Sequence, residues 1–189
     1  MSEIPVVSGG APGTKKADIR LYRDSDAQAV GWLIADTFSE FNLSSAPAEE
    51  RDLLLGPFLH ARSLDKDHLA AIARAIRSEM VFVAECDGEI VGVLRGRLTR
   101  LGSLFVRGDC HRQGIGRRLV ALFEQECSRQ GGTVIKVAAT LYAVPFYLEM
   151  GYRRTTGVRA YRGFGGSGLV YQPMKKVLDR EQLGEEEER

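Results

Sequence analysis

The sequence predicts an α/β domain, in which helices flank a β-sheet. Two β-rich runs, Met80–Cys86 and Glu89–Arg97, are joined by an Asp-Gly dipeptide, which is typical of a tight hairpin turn. The stretch 104–119 begins with an apolar run, breaks at turn-forming residues and continues with helical spacing, so it predicts strand, turn and helix. A further β-rich run at 134–138 precedes a short helix. Strands and helices in this order favour a sheet that helices cover.

Length and composition limit the classes of protein to which the chain can belong. Its 189 residues suffice for one well-buried domain, and the formal net charge of +1 argues against binding of a nucleic-acid backbone. Cys86, Cys110 and Cys127 lack the spacing of metal ligands and favour a reducing compartment over a disulfide framework. The sequence contains neither an apolar run of membrane-spanning length nor a signal-peptide pattern at its start. We therefore expect a soluble cytoplasmic protein with no membrane or nucleic-acid partner.

The N-terminal region predicts a leader, a first strand and a first helix. Residues 1–16 are rich in glycine and proline and are expected to form a flexible leader. Ile19 and Leu21 mark the strand, and Asp24 or Ser25 is expected to cap the helix that follows. The apolar face of that helix comprises Val30, Leu33, Ile34, Thr37, Phe38 and Phe41.

The middle of the chain predicts more helices and then consecutive strands. The stretches 53–59 and 64–76 predict one or two helices, the latter with apolar residues at a period of 3.6. In the hairpin, the apolar residues around Val93 predict a second strand that is buried on both faces near its start. The run 101–106 predicts the strand that leads into the following loop.

The loop 111–116 lies against a helix N-terminus, which is a natural site for an anion. The first N–H groups of a helix have no internal acceptor and carry the positive end of the helix dipole, so they can hold a phosphate. Gly114 and Gly116 would allow close approach of the phosphate oxygens, although a glycine pair before a helix is also ordinary turn chemistry. Four arginines add charge for a second phosphate: Arg107, Arg112, Arg117 and Arg118. A diphosphate ligand is the favoured interpretation.

The stretch 140–152 contains a second informative pattern. Pro145 suits the first turn of a helix and Gly151 suits its left-handed end, so a short helix carrying Phe146 and Tyr147 is expected between two strands.

These two stretches resemble the acyl-CoA motifs of the GCN5-related N-acetyltransferase (GNAT) superfamily. The family pattern of the loop is Gln or Arg, two residues, Gly, one residue, then Gly or Ala, and His111 stands here where Gln or Arg is usual. The second motif matches at Ala143, Phe146, Tyr147, Gly151 and Tyr152, with Thr140 in place of a common Asn. The motifs cover 101–152, and the order of strands and helices extends the resemblance over 17–178.

The resemblance implies one domain over 17–178 with a mixed, mostly antiparallel twisted sheet flanked by helices. It also implies that the loop holds the pyrophosphate of acetyl-CoA, the co-substrate. The implied cofactor-binding residues are Leu104, Val106, His111, Arg112, Gln113, Gly114, Ile115, Gly116, Arg117 and Thr140.

The implied reaction is direct attack of an amine on the thioester, because no Ser or Cys with a neighbouring His is evident as a nucleophile. Tyr147 would protonate the departing thiolate, with Tyr142 the less favoured substitute, and backbone N–H groups near Val106 would polarise the carbonyl. The sequence does not identify the general base, because the strand before the loop has Gly102 and Ser103 where many relatives carry a carboxylate. The candidates are Glu85, Asp36, Glu40 or a water held by Ser103, and an acceptor of low pKa would need less help.

Three functions remain open at this point. The first is an N-acetyltransferase, the second an acyl-CoA-binding sensor or interaction module, and the third a transferase with a hydroxyl acceptor. The acceptor is a small-molecule or peptide amine, and a homodimer is possible. The segment 36–60 contains acidic residues that either attract a cationic acceptor or form a solvated helix face: Asp36, Glu40, Glu49, Glu50 and Asp52.

Three other features are assigned no catalytic role. The glycines of 163–168 match a dinucleotide-binding pattern without the required helix, so a mobile loop is expected. His60 and His68 are too far apart in sequence for one turn of a helix face and no third ligand is evident, so no metal is expected. Residues 179–189 are expected to be a solvated acidic tail.

Overall fold

The computed structural model describes residues 17–43, 46–160 and 169–178. The expected leader 1–16, the loop 163–168 and the tail 179–189 lie outside the described residues. The strands are β1 (Asp18–Leu21), β2 (Met80–Cys86), β3 (Glu89–Arg97), β4 (Arg100–Val106), β5 (Val134–Thr140), β6 (Arg153–Arg154), β7 (Arg159–Ala160) and β8 (Val170–Val177). The helices are α1 (Ala27–Phe41), α2 (Ala48–Leu55), α3 (Lys66–Ile76), α4 (Ile115–Arg129) and α5 (Val144–Glu149).

The described strands form a single mixed sheet in the order β1-β2-β3-β4-β5-β8-β6, with β7 also paired to β8. Every neighbouring pair is antiparallel except β4 and β5, so the expected mixed, mostly antiparallel sheet is confirmed. The parallel pair is short, because its register joins Arg100 to Lys136 and Leu101 to Val137 and then ends. Both strands continue beyond these residues, to Val106 and Thr140, so a gap opens in the middle of the sheet.

Helices cover both faces of the central strands. Helix α4 packs on one face through buried Leu119 and Phe123, while α1 and α3 cover the other face. A Cβ added to Gly96 of β3 would lie 2.5 Å from the Phe123 ring, which explains why this close approach of helix and strand requires glycine. Strand β3 is buried on both faces from Val91 to Leu94, as its sequence predicted.

The beginning of α1 differs from the sequence prediction. A short 3-10 turn, Asp24–Asp26, precedes the helix, and neither Asp24 nor Ser25 caps it. Asp26 is the residue that secures this joint, because its carboxylate accepts hydrogen bonds from Arg20 at 2.7 and 3.0 Å and from the Arg23 N–H at 2.8 Å. The Arg20 guanidinium lowers the pKa of Asp26, so the carboxylate stays ionised.

The two other predicted N-terminal helices are also shifted. Helix α3 begins at Lys66 rather than at 64, because Asp65 accepts hydrogen bonds from the N–H groups of Asp67 and His68 at 2.8 and 3.2 Å. Helix α2 ends at Leu55, and the 3-10 turn Gly56–His60 replaces the rest of the expected 53–59 helix. None of the helices in the described part of the chain is both long enough and apolar enough to cross a membrane.

Candidate functional site

An open groove of about 590 Å³ lies beside the carboxyl end of β4. Four parts of the chain form its walls: the end of α1, the end of β4, the loop that begins α4, and the segment from the end of β5 into α5. The lining residues include Phe41, Leu104, Val106, Cys110, His111, Arg112, Gly114, Ile115, Gly116, Arg117, Thr140, Tyr142 and Phe146. Most of the sequence-predicted cofactor residues therefore meet in one place, although they come from β4, α4 and β5.

The N-terminus of α4 opens into this groove. Gly114 adopts a left-handed conformation, with φ of 80°, and stands directly before the helix. The first hydrogen bond that closes a turn is donated by the Arg118 N–H to the Gly114 carbonyl at 3.0 Å, so the earlier N–H groups have no acceptor within the helix. A Cβ on Gly116 would lie 3.5 Å from the Phe146 ring and would fill the space between α4 and α5. The groove thus combines unpaired amides with the room for an anion to approach them.

Two arginines line the groove. Arg112 has an unusual left-handed backbone, with φ of 63°, and lies in the wall beside Gly114. Arg117 also lines the groove and forms an ion pair with Glu149 of α5. This pair ties the two helices together across one side of the groove.

The other two arginines of the expected cluster do not line the groove. Arg107 donates to Glu89 and to Asp109, each at 2.7 Å, and both carboxylates raise its pKa. Arg118 donates to the Ala17 carbonyl at 2.6 Å, at the start of β1. Arg107 and Arg118 therefore add no side chain to the groove wall, while Arg112 and Arg117 do.

His111 and Gln113 hold the loop rather than simply lining it. The Nε2 atom of His111 lies 2.7 Å from the Val106 carbonyl, so this nitrogen carries the proton and donates. Gln113 donates to the Asp109 carbonyl at 3.0 Å and its side chain is not in the groove wall. Both side chains fix the turn between β4 and α4.

Aromatic rings form one wall that the sequence did not reveal. Phe41 lies 4.8 Å from the His111 ring and stacks on Tyr142 at 5.4 Å between centroids. The sequence predicts Phe41 on the apolar face of the first helix and offers Tyr142 only as a substitute acid. The 59% exposure of Tyr142, a large aromatic residue, marks this wall, and sequence alone does not give it.

A second cavity, of about 170 Å³, occupies the gap between β4 and β5. It shares Leu104, Phe105 and Thr140 with the groove, so the two spaces meet where the strands part. Side chains from α1 and α2 close one side, and the other walls come from β3, β4, β5, α5 and the start of β8. The lining residues include Ile34, Phe38, Leu54, Phe58, Arg95, Ser103, Ala139, Tyr147 and Tyr171.

Tyr147 lines this inner cavity from α5. Its side chain is only 4% exposed and makes edge contacts with Phe146 at 5.1 Å and with Tyr152 at 5.3 Å. Burial raises the pKa of the Tyr147 phenol above its ordinary value, so the group keeps its proton at neutral pH. The result is a protonated phenol in the wall of the inner cavity, next along α5 to Phe146 of the groove wall.

The carboxylate candidates for a base lie elsewhere. Glu85 accepts from Arg20 at 2.7 and 2.9 Å, and Asp36 accepts from Arg62 at 2.9 and 3.0 Å. Neither of them lines the groove or the inner cavity, and Glu40 does not line them either.

Within the described residues, the inner cavity is lined by no Asp or Glu side chain. Ser103 is the remaining candidate of the sequence-predicted set. It lines the cavity, and its Oγ accepts a hydrogen bond from Arg95 Nε at 2.9 Å. A water bound to Ser103 therefore stays compatible with this geometry.

The two histidines set aside from the sequence are close together. The His60 and His68 rings stack at 4.1 Å with an interplanar angle of 6°, although the two residues do not share a helix face. The turn between α2 and α3 brings them together, which chain separation does not indicate. His68 Nδ1 also lies 2.8 Å from Ser63 Oγ. The part of the chain that the structure describes contains no group of three His, Cys, Asp or Glu side chains placed to hold a metal ion.

Comparisons with known proteins place these features in context. The model of the family described as Acetyltransferase (GNAT) domain matches residues 58–178. YitH, an uncharacterised N-acetyltransferase from Bacillus subtilis (strain 168), is 36% identical over 90 residues, which are 47% of this chain and 29% of that protein. The matched stretch thus spans less than a third of that relative.

Solved structures share the fold. A GCN5-related N-acetyltransferase from Rhodopseudomonas palustris superposes with a TM-score of 0.71 at 19% identity, over 89% of this chain and 100% of that one. YncA from Salmonella typhimurium, solved with its cofactor acetyl-CoA, gives a TM-score of 0.57 at 20% identity, over 87% and 95% of the two chains. At sequence identities of 19% and 20%, the similarity shows a shared fold and no more.

Proposed function

Because the chain belongs to the acetyltransferase (GNAT) family, we propose that it transfers the acetyl group of acetyl-CoA to an amine by direct attack on the thioester. The observation that carries this proposal is the junction between the two cavities. A helix N-terminus with unpaired amides opens into one of them, and a buried, protonated tyrosine lines the other. Co-substrate and acceptor can therefore approach the same gap from different sides.

The groove fits the elongated, anionic co-substrate. The N–H groups at the start of α4 would bind one phosphate of the pyrophosphate, and Arg112 and Arg117 would face the other. Leu104, Val106 and Thr140 line the path toward the gap between β4 and β5. His111 and Gln113 would support binding by holding the loop in place.

The reaction needs one new bond and one proton donor. The amine nitrogen bonds to the carbonyl carbon, the C–S bond breaks, and the departing thiolate takes the phenolic proton of Tyr147. Backbone N–H groups near Val106 would stabilise the charge on the carbonyl oxygen. The proton released by the amine passes to water, and the Tyr147 phenolate regains a proton from water, since the inner cavity offers no carboxylate among the described residues.

Direct attack is favoured over a covalent acetyl-enzyme. Cys110 is the thiol in the groove wall, but it is buried, and burial together with the neighbouring Asp109 carboxylate raises its pKa. A protonated thiol is a weak nucleophile, so Cys110 is a poor candidate for an intermediate.

The alternative functions have less support. An acyl-CoA sensor would need no proton donor, yet a buried Tyr147 that keeps its proton lines the inner cavity. A hydroxyl acceptor would need a strong base to activate it, and the inner cavity presents no carboxylate among the described residues.

The Tyr147→Phe variant tests the proposal. Removing the proton donor should lower kcat by about 10²-fold, the lower range for general acid catalysis, with little change in the KM for acetyl-CoA. Turnover is measured chromatographically as CoA released from acetyl-CoA across polyamines, amino acids and peptide N-termini. Chromatography avoids thiol dyes, which the three cysteines of the chain would confuse.

Tyr152→Phe is the matched control. Tyr152 is a buried tyrosine in ring contact with Tyr147, but it lines neither cavity. We expect its kcat to stay within about twofold of the wild type. If Tyr147→Phe also retained wild-type turnover, the assignment of Tyr147 as the acid would be wrong.

A further inference from the structure

Four exposed cations stand directly opposite one another on four neighbouring strands. The register pairs Arg100 of β4 with Lys136 of β5, Lys136 with Lys175 of β8, and Lys175 with Arg153 of β6. All four side chains are exposed. Because neighbouring strands lie about 4.8 Å apart, this basic row extends over about 14 Å of the sheet.

The basic row has no acidic partner among the described residues. None of the salt bridges formed there involves Arg100, Lys136, Lys175 or Arg153. Like charges directly opposite each other destabilise a sheet, so this arrangement carries a cost for folding. By contrast Lys176, the next residue along β8, lies on the opposite face and pairs with Glu124 at 2.6 Å. The pattern is that of a surface whose anion comes from a binding partner.

A groove connects the basic row with the inner cavity of the candidate site. This basic groove has a volume of about 440 Å³, and Arg159 of β7 adds a further cation to the walls that Arg100, Lys136 and Lys175 help to form. Among the described residues no Asp or Glu lines it. It shares three lining residues with the inner cavity: Val137, Ala138 and Tyr171. An acceptor whose amine enters the inner cavity would therefore lie with its remainder over the cations.

The inner cavity favours an amine of low pKa. Without a carboxylate to remove a proton, the rate depends on the fraction of acceptor that is already neutral. At pH 7 roughly 9–17% of peptide α-amines are neutral, because their pKa is about 7.7–8.0, whereas about one lysine side chain in 2,500 is neutral. The terminal α-amine of a peptide fits this site better than a lysine side chain.

The distance along β5 between the junction and the basic row determines where the acidic residues of an acceptor peptide would lie. Lys136 and Thr140 are four residues apart, about 13 Å in a strand, and Thr140 lines the junction where the thioester would lie. An extended peptide covers about 3.3–3.6 Å per residue, so about four residues separate the α-amine from the basic row. A free amino acid is too short to reach from the junction to these cations.

We infer that the acceptor is the N-terminus of an acidic peptide or protein, with carboxylates within its third to sixth residues bound by the basic row. This inference rests on the proposed function and names its substrate class. It also gives the acidic residues of 36–60 no part in attracting a cationic acceptor; Asp36, for example, is paired with Arg62.

The test compares three hexapeptides that begin Ser-Ala and continue with four Glu, four Gln or four Lys residues. Acetyl transfer is followed as CoA release with the full chain, at low and at high salt. The wild type should show a kcat/KM about tenfold or more higher for the Glu peptide than for the Gln peptide at low salt, and the advantage should shrink as salt screens it.

Two variants locate the preference. The double variant Lys136→Gln, Lys175→Gln should lower the ratio of kcat/KM for the Glu peptide to kcat/KM for the Gln peptide to about two or less. Arg154→Gln is the matched control, because Arg154 follows Arg153 on the same strand but pairs with Met174 on the other face of the sheet. This control variant should keep the wild-type ratio of kcat/KM between the Glu and Gln peptides.

Four outcomes would contradict the inference, and the last two would also identify another occupant of the basic row. Equal wild-type kcat/KM for the Glu and Gln peptides would overturn it, as would an unchanged ratio in the double variant. A preference that emerges only when the four glutamates of 185–188 are replaced by Gln would assign the basic row to the chain's own acidic segment. Tighter binding of a single-stranded oligonucleotide than of the Glu peptide would assign it to nucleic acid.

Peptide binding, measured by calorimetry without acetyl-CoA, separates this inference from the proposed function. Binding of the Glu peptide that requires Lys136 and Lys175, with no acetyl transfer to any amine, would contradict the proposed function alone. Transfer to peptides without any charge preference would contradict the substrate class alone.

Discussion

Gly114 determines how the loop meets α4 at the scale of a single residue. Its left-handed φ of 80° turns the chain into the helix and leaves the first amides directed into the groove. No side chain blocks the position, since an added Cβ would meet nothing within 4 Å. The requirement for glycine at 114 is therefore conformational and not steric.

Replacing Gly114 by Ala should weaken acetyl-CoA binding. Adopting the left-handed conformation costs a non-glycine residue about 1–2 kcal/mol, and the strain favours a shift of the first turn of α4. Loss of one hydrogen bond to a charged phosphate, about 1.5–3 kcal/mol, would raise the Kd for acetyl-CoA about tenfold or more. Isothermal titration calorimetry measures this Kd directly.

Gly131→Ala provides the control for backbone strain. Gly131 also has a left-handed φ, of 85°, and open space around its Cβ position, but it lies beyond the far end of α4. Both variants should lose similar stability in urea unfolding, while Gly131→Ala should bind acetyl-CoA like the wild type. Equal weakening of binding in the two variants would contradict the role assigned to the α4 N-terminus.

At the scale of elements, an ion-pair network joins β1 to the start of α1. Arg20 of β1 binds Asp26 before the helix and Glu85 of β2, each at 2.7 Å. The Asp26 side chain is 10% exposed, so removing it leaves Arg20 without its best-shielded partner. This network anchors the helix that supplies part of the wall of both cavities.

The Asp26→Asn variant should lose stability in a pH-dependent way. Arg20 lowers the pKa of Asp26 in the folded state below the unfolded value of about 3.9, so the carboxylate stabilises the fold above that pH. This contribution disappears as the pH falls through the folded pKa. We therefore expect a loss of about 1–3 kcal/mol at pH 7 that shrinks below about pH 4.

Urea unfolding at pH 7 and pH 3 checks this prediction, with Asp36→Asn as control. Asp36 forms a single exposed pair with Arg62, with side chains 57% and 66% exposed, so its removal should cost about 0–1 kcal/mol. A loss for Asp26→Asn of the same size at both pH values would show that the charge of Asp26 is not what stabilises the joint.

The parting of β4 and β5 is the element-scale feature that creates the site. The pair ends after two register positions, yet each strand continues, and the groove and inner cavity occupy the space between them. Parallel strands joined by α4 enclose this gap with the α4 N-terminus at its mouth. Ligands bind at the carboxyl ends of such strands for the same reason in other α/β folds.

At the scale of the whole molecule, charge is distributed unevenly although the net charge is only +1. The basic row unites Arg100, Lys136, Arg153 and Lys175, which are spread over 76 positions of the chain and meet because β8 returns beside β5. Composition could not reveal this surface. The sequence-based exclusion of nucleic acid stays a prediction, and the oligonucleotide arm of the peptide experiment tests it.

The sequence could predict the features that depend on residues close together in the chain, and it could not predict those that depend on contacts between distant segments. The strand, turn and helix around Gly114 and the hairpin at Asp87 depend on neighbours in the chain, and their patterns predicted them. The partners of Arg107 and Arg118, the stacking of His60 on His68 and the wall formed by Phe41 and Tyr142 depend on packing between distant segments. Local patterns contain no information about such contacts, so these features required the structure.

The measurement that tests the central claim most directly is mass spectrometry of the acceptor after incubation with acetyl-CoA and the full chain. The account predicts an acetyl group on the α-amine of the Glu hexapeptide, resistant to hydroxylamine as an amide is, and strongly reduced with Tyr147→Phe. An acetyl group that hydroxylamine removes would indicate a hydroxyl acceptor. Acetyl-CoA that binds in calorimetry while every amine acceptor tested stays unmodified would contradict the claim that this protein is an N-acetyltransferase.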